Sequence, residues 1–211
     1  MTLEEAIAKI KPLDHNAMEI AQKRWDSIAK PLHSLGKLET LLIQIAGITG
    51  NAEVDLSRRG LIVMCADNGV VKEGVTQTGQ EVTAIVAENF LKYDTSVGVM
   101  CKQNHAEIFP VDMGMVTDTK VRTDHKIAYG TQNMTKGPAM TREQAVKGLE
   151  AGIDMVRELN DKGYRILATG EMGIGNTTTS SAVASVLLKQ PVEEMTGRGA
   201  GLTSEGLVRK I

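Results

Sequence analysis

Hydrophobic and polar positions alternate with two different periods along the chain, and these periods predict its elements. Short apolar runs cover residues 60–66, 106–111 and 164–169, and a helical pattern precedes each of them. Strands that alternate with helices usually pair in parallel. The pattern therefore predicts an α/β fold with a parallel, helix-covered, Rossmann-like sheet.

The helix before the third run has the clearest sequence signals. Thr141 and Gln144 have the spacing of a capping box, and the helix is expected to end near Gly163. Its predicted apolar stripe consists of Val146, Leu149, Ile153 and Val156. Further helices are predicted over residues 80–91 and 95–103, and a further short strand over residues 126–130.

The N-terminal part of the chain has a different pattern. Residues 1–50 contain helical periodicity and no convincing strand, which predicts a helical subdomain followed by an α/β nucleotide-binding domain over residues 51–211. A helical pattern capped by Thr203 runs to Ile211. Because domains rarely stop inside a helix, we expect the second domain to be truncated at its C-terminus.

Composition and charge favour a small-molecule partner. Lys and Arg total 24 against 26 for Asp and Glu, and aromatic residues make up 3% of the chain, so nothing indicates a nucleic-acid surface. The sequence shows neither a signal peptide nor an apolar run of membrane-spanning length, and we expect a cytoplasmic protein without a membrane partner. Cys65 and Cys101 lie in apolar runs, where reduced, buried thiols are expected. The four histidines lack metal-ligand spacing, so no metal site is predicted.

Three acidic residues lie at or just after the ends of the predicted strands. They are Asp67, Asp112 and Glu171, each next to a glycine-containing turn. The C-terminal ends of parallel strands share one edge of the sheet, so these carboxylates are expected to converge on one crevice. For Asp67 and Asp112 the alternative is a structural role as a turn former or helix cap.

Two glycine-rich segments are candidates for binding a phosphate. Residues 170–175 contain three glycines before a predicted helix but lack the Lys-Ser/Thr pair of a Walker loop. Thr178 also stands where a dinucleotide fingerprint has a small residue, which leaves an ordinary dinucleotide-binding domain as a weaker hypothesis. The segment alone predicts an anion or nucleotide site, with a purely structural turn as the alternative. Residues 197–201 form the second glycine-rich segment.

Several of these motifs occur together in one known family. They span residues 30–39, 66–70, 73–75, 80–83, 112–114, 170–178 and 197–202. In these motifs the chain resembles the nicotinate-nucleotide:dimethylbenzimidazole phosphoribosyltransferases. The resemblance implies transfer of phosphoribose from nicotinate mononucleotide to 5,6-dimethylbenzimidazole, which gives α-ribazole 5′-phosphate and nicotinate in cobalamin biosynthesis. It also implies small-molecule substrates, a homodimer, and neither a cofactor nor a metal.

The resemblance assigns roles to particular residues. Glu171 would be catalytic, facing the base and the ribose, while Lys210 and residues 173–178 would hold the donor phosphate. The substrate-binding residues that it implies are Asp67, Asn68, Gln77, Gln80, Ile85, Asp112, Met172, Gly173, Ile174, Gly175, Asn176, Thr177, Thr178, Gly199, Gly201 and Lys210.

The chain departs from the family pattern in two respects. The usual general-base glutamate of the family lies in a glycine-rich segment that would follow Ile211. Ile85 stands where the family often has glutamine in the acceptor pocket, which leaves the acceptor base open. The alternative hypothesis is therefore a truncated, non-catalytic module that binds the nucleotide or the base.

Overall fold

Three parallel strands form one sheet in the computed structural model, which describes residues 1–211. The strands are β1 (Arg59–Ala66), β2 (Ala106–Gly114) and β3 (Ile166–Met172), and their order in the sheet is β2-β1-β3. The helices are α1 (Leu3–Ala8), α2 (His15–Ser27), α3 (Lys37–Thr49), α4 (Glu81–Leu91), α5 (Ser96–Gln103), α6 (Arg142–Asp161), α7 (Asn176–Leu188), α8 (Val192–Met195) and α9 (Ser204–Lys210). A 3-10 helix covers Gly69–Glu73. The predicted α/β class is confirmed.

The chain divides into two compact units, Thr2–Ser57 and Arg58–Ile211 together with Met1. The first unit contains α1, α2 and α3 and no strand. Asp14 caps α2 by accepting a hydrogen bond from the Ala17 amide at 2.9 Å, and its own amide donates to the Gly47 carbonyl of α3 at 2.9 Å. Asp14 therefore both starts α2 and ties it to α3.

The core of the second unit lies on both faces of β1. One cluster contains Leu61, Val63, Cys65, Ala84, Ala87, Phe90 and Cys101, from β1, α4 and α5. The other contains Ile62, Val111, Met155, Leu159 and Tyr164, which join β1 and β2 to α6 and the turn after it. Burial on both faces explains why β1 reads as a continuous apolar run. Both cysteines are free and buried, as predicted.

Two strands extend further than the sequence indicated. β2 runs to Gly114, and β3 begins at Ile166 and runs to Met172. Asp112 is paired with Cys65, and Glu171 with Met64. The prediction that both carboxylates lie in turns was therefore wrong, because backbone pairing to β1 continues past the last apolar residue.

Two further predictions need correction. The capping box of Thr141 and Gln144 is confirmed, but Leu149 and Val156 are 56% and 48% exposed. The buried face of α6 instead consists of Ala151, Met155 and Leu159, spaced four residues apart. Residues 126–130 form no strand, since the Ile127 amide makes one hydrogen bond to the Met113 carbonyl and no ladder follows. None of the helices is both long enough and apolar enough to cross a bilayer.

Candidate active site

The segment between β3 and α7 is shaped by two glycines. A Cβ at Gly173 would lie 2.2 Å from the Ala66 carbonyl oxygen, so no side chain is possible there. Gly175 has φ of +91° and precedes the first residue of α7. We call Gly173–Gly175 the glycine loop. It leads directly into the first turn of α7, whose positive end attracts an anion, although the Asn176 and Thr178 amides already donate to the Gly173 and Gly175 carbonyls at 3.0 Å.

A cleft of about 250 Å³ opens beside the glycine loop. Its lining comes from four segments, which are residues 75–78, 172–177, 198–200 and 202, and Lys210. All of them belong to the second compact unit. Of the residues predicted to bind substrate, the structure brings Gln77, Met172, Gly173, Ile174, Gly175, Asn176, Thr177, Gly199 and Lys210 to this cleft.

Lys210 supplies a buried cation to the cleft. Its side chain donates hydrogen bonds to Thr177 Oγ1 at 2.7 Å and to the Gly197 carbonyl at 3.0 Å. It takes part in none of the ion pairs of the chain, and burial lowers the pKa of its ammonium group. A buried cation without a neighbouring carboxylate is a strong attraction for an anionic ligand.

Residues 198–200 of the second glycine-rich segment also line the cleft. Gln77 donates a hydrogen bond from Nε2 to the Gly201 carbonyl, and Arg198 donates to the Leu202 carbonyl at 2.8 Å and to Ser204 Oγ at 3.2 Å. Sequence reasoning missed Arg198 as a lining residue. Its position between Gly197 and Gly199 was the signal that could have identified it.

Asn68 and Gln80 support the glycine loop from outside the cleft. Asn68 donates a hydrogen bond from Nδ2 to the Ile174 carbonyl at 3.1 Å, and Gln80 donates from Nε2 to the Asn68 carbonyl at 3.2 Å. Both residues were predicted to bind substrate. In this structure Asn68 contacts the loop that lines the cleft and Gln80 contacts Asn68, so both act on the geometry of the loop.

Glu171 lies at the end of β3, next to the glycine loop. Its Oε2 accepts a hydrogen bond from Asn176 Nδ2, which joins it to the first residue of α7. Desolvation raises the pKa of this carboxyl, and the Asn176 hydrogen bond opposes that rise. A carboxyl with a raised pKa next to a phosphate-type site is suited to proton transfer.

The three strand-end carboxylates do not converge on one crevice, contrary to prediction. Pairing with Cys65 puts Asp112 on one face of the sheet, and pairing with Met64 puts Glu171 on the other. Asp112 is fully buried, accepts from the Met115 amide at 2.8 Å and lies 3.2 Å from Lys126 Nζ. This is the structural role that the sequence left open for Asp112. Asp67 is also fully buried.

Three other predicted residues lie away from this cleft. Ile85 is exposed on α4, and the Gly201 backbone contacts Gln77 without lining the cleft. Thr178 is buried and lines a separate cavity of about 330 Å³. Its orientation follows from helix geometry, because consecutive residues of α7 point about 100° apart and Thr177 already faces Lys210.

Comparison with known proteins identifies the family. A sequence profile described as "Phosphoribosyltransferase" (DBI_PRT) matches residues 10–211. The chain belongs to this family. The resemblance found in the motifs is thereby confirmed, and it extends over nearly the whole chain.

Curated relatives and solved structures agree with this assignment. The nicotinate-nucleotide–dimethylbenzimidazole phosphoribosyltransferase of Ruminiclostridium cellulolyticum is 51% identical over 213 residues, covering 100% of this chain and 60% of the relative. The protein of the same name from Clostridium tetani is 46% identical over 210 residues, covering 99% of this chain and 58% of the relative. A crystal structure of CobT from Thermus thermophilus superposes with a TM-score of 0.82 at 37% identity, over 92% of this chain and 60% of that one. The chain thus spans about 60% of the length of these relatives.

Proposed function

We propose that the protein transfers phosphoribose from nicotinate mononucleotide to 5,6-dimethylbenzimidazole, giving α-ribazole 5′-phosphate and nicotinate. Proteins named for this activity match the chain over its full length. The observation that carries the proposal is Lys210, a buried ammonium group without a carboxylate partner in a cleft bordered by the glycine loop. Such a cleft suits a substrate with one phosphate and a sugar.

Different residues of the site would act on the donor phosphate and on the reacting carbon. Lys210 and the first turn of α7 would hold the donor phosphate, and residues 199–201 would lie along the nucleotide. The acceptor nitrogen forms a bond to C1′ as the bond from C1′ to nicotinate breaks, and the acceptor releases the proton on its other ring nitrogen. As a carboxylate, Glu171 would stabilise the positive charge of the developing oxocarbenium ion or accept the proton that the acceptor releases.

Four predicted residues would act on this reaction indirectly, by holding the loops of the site in place: Asp67, Asn68, Gln80 and Asp112. Ile85 would make the acceptor side of the site more apolar than a glutamine would. We further propose, on the family resemblance, a cytoplasmic homodimer that uses neither a metal nor a cofactor.

The first experiment measures binding of nicotinate mononucleotide and turnover with 5,6-dimethylbenzimidazole. Replacing Lys210 by Met is expected to weaken nucleotide binding about tenfold or more, because a charge-assisted contact is lost. Lys147→Met, at an exposed position on α6, is the matched control and should leave binding unchanged. Equal nucleotide affinity in the two variants would contradict the proposed phosphate site.

The second experiment concerns Glu171. Glu171→Gln is expected to lower kcat about hundredfold while changing nucleotide affinity little, if the carboxylate acts in the transition state. Unchanged kcat would leave Glu171 as a structural residue that orients Asn176.

A second candidate function follows from the length of the relatives. Because the chain spans about 60% of them, the 211-residue chain could bind the nucleotide or the base without turning it over. Calorimetric binding with no release of nicotinate would support this binding module. Turnover by the same chain would exclude it.

A further inference from the structure

We infer that Thr83 is a positioning residue, whose hydroxyl joins the buried carboxylate of Asp67 to the Ile174 amide and thereby sets the glycine loop for phosphate binding. This inference rests on the proposed function, because it assumes that the loop binds the donor phosphate. The sequence motifs assigned no role to Thr83 and gave no sign of its link to the loop.

A hydrogen bond joins α4 to the glycine loop. Thr83 lies on α4 and its side chain is fully buried. Its Oγ1 accepts a hydrogen bond from the Ile174 amide at 3.0 Å. Ile174 stands between Gly173 and Gly175, so this side-chain anchor acts on the middle residue of the glycine loop.

The Thr83 hydroxyl has a proton that it can donate. Because Thr83 Oγ1 accepts from Ile174, its own proton is free to be donated to another group. Asp67 is fully buried, and its Oδ1 has no close hydrogen-bond partner, while Oδ2 accepts from the Val116 amide at 2.8 Å. A buried carboxylate oxygen needs a donor, and the free proton of Thr83 would meet that need at Oδ1. Burial raises the pKa of Asp67, whereas the Val116 amide and the Thr83 hydroxyl lower it.

Asp67 connects several segments of the chain. The Asp67 backbone donates to the Gly114 carbonyl at 2.9 Å and accepts from the Thr131 amide at 3.0 Å. Its carboxylate accepts from the Val116 amide in the chain after β2, and the inferred Thr83 contact would connect it to the glycine loop after β3. Asp67 therefore holds two neighbouring segments at one edge of the sheet directly, and would reach the glycine loop through Thr83.

The backbone of Ile174 is therefore held at both its amide and its carbonyl. Thr83 accepts from its amide, and Asn68 donates to its carbonyl at 3.1 Å. A loop fixed in this way loses less conformational entropy when a phosphate binds. Loss of the Thr83 hydroxyl should release one end of this peptide and leave the fold of the sheet intact.

The test compares Thr83→Val, which has nearly the same shape without the hydroxyl, with Thr83→Ser, which keeps the hydroxyl. Amide hydrogen exchange at Ile174 is measured in the unliganded chain. We expect exchange about tenfold faster in the Val variant, as for the loss of one hydrogen bond, and close to wild type in the Ser variant. Equal exchange rates in all three proteins would overturn the inference.

Ligand binding provides the second measurement. Affinity for nicotinate mononucleotide is expected to fall about tenfold in the Val variant and to recover in the Ser variant, while affinity for the riboside without phosphate stays constant. A parallel loss for both ligands would overturn the role of Thr83 in phosphate positioning. If wild type binds no nucleotide, the proposed function fails, and the exchange comparison alone decides whether Thr83 sets the loop.

A second variant guards against misfolding of the first. Asp67→Asn keeps the side-chain shape but leaves only one carboxylate-type acceptor for Val116 and Thr83. Amide exchange at Ile174 is expected to be faster in this variant than in wild type, as it is in Thr83→Val. Normal exchange at Ile174 in a folded Asp67→Asn variant would contradict the proposed link.

Discussion

At the scale of single residues, Gly173 is required by a close approach of two backbone segments. A Cβ at this position would lie 2.2 Å from the Ala66 carbonyl oxygen, and that oxygen belongs to β1, which cannot move freely. Gly173→Ala is expected to destabilise the protein by about 1–3 kcal/mol and to weaken binding of nicotinate mononucleotide. Thermal unfolding and calorimetry measure these two effects.

The matched control is Gly137→Ala, where a Cβ would meet nothing within 4 Å. This variant should keep the stability and affinity of wild type. If Gly173→Ala behaves in the same way, the loop has another conformation that admits a side chain, and its geometry as a phosphate site needs revision.

The proposed contact between Lys210 and the donor phosphate predicts that nucleotide binding is sensitive to alkaline pH. Burial lowers the pKa of its ammonium group, so the charge is lost at a lower pH than for an exposed lysine. Affinity for nicotinate mononucleotide is therefore expected to be greatest below this lowered pKa and to fall as pH rises through it. Calorimetric titrations from about pH 6 to about pH 10 would follow the change.

Lys210→Arg tests the cause of this pH dependence. A guanidinium group stays charged throughout that range, so its curve should be flat even if its affinity is lower. A wild-type curve that is already flat would show that the charge of Lys210 does not govern binding.

At the scale of elements, the sequence predicted each strand and helix best where local signals and tertiary packing agree. The capping box of α6 depends on residues three apart, and it is present as predicted. The buried face of α6 depends on where the sheet lies, and it centres on Met155 rather than on Leu149 or Val156. The ends of β2 and β3 likewise depend on pairing with β1, which apolar periodicity does not encode.

The capping box provides a prediction about α6 itself. The Thr141 side chain accepts from the Gln144 amide at 3.2 Å, and the Gln144 side chain accepts from the Thr141 amide at 2.9 Å. Thr141→Ala is expected to lower the free energy of unfolding by about 1 kcal/mol, while Thr141→Ser keeps the cap and most of the stability. Urea denaturation followed by circular dichroism measures both. Equal losses in the two variants would mean that the methyl group, and not the hydroxyl, stabilises this end of the helix.

At the scale of the whole molecule, the candidate site combines parts that the sequence could and could not predict. The glycine loop was predicted from a motif and Lys210 from the family resemblance, and the structure brings them to one cleft. Thr83 and Arg198 were missed, because the sequence does not show which groups a threonine inside a helix or an arginine between glycines will contact. The expected grouping of acidic side chains failed because consecutive residues of a strand point to opposite faces.

Four exposed apolar side chains lie close together on α7, on the surface of the second unit. Val186 and Leu187 are 77% and 75% exposed, and Val183 and Leu188 are also exposed. Apolar side chains grouped in this way usually mark a surface that binds something else. The 211-residue chain is therefore expected to bind a hydrophobic dye strongly and to self-associate as its concentration rises.

Charged substitutions on α7 test whether this patch causes the association. The double variant Val186→Glu and Leu187→Glu should reduce dye fluorescence and shift the chain toward the monomer in light scattering, because both side chains already face solvent and the core is untouched. Ser180→Glu adds a charge to an exposed position of the same helix without removing an apolar group, and it should change neither property much. Persistent association of the double variant would locate the responsible surface elsewhere, with the exposed apolar residues of α3 as the next to replace, since Leu38, Leu41 and Ile48 are also open to solvent.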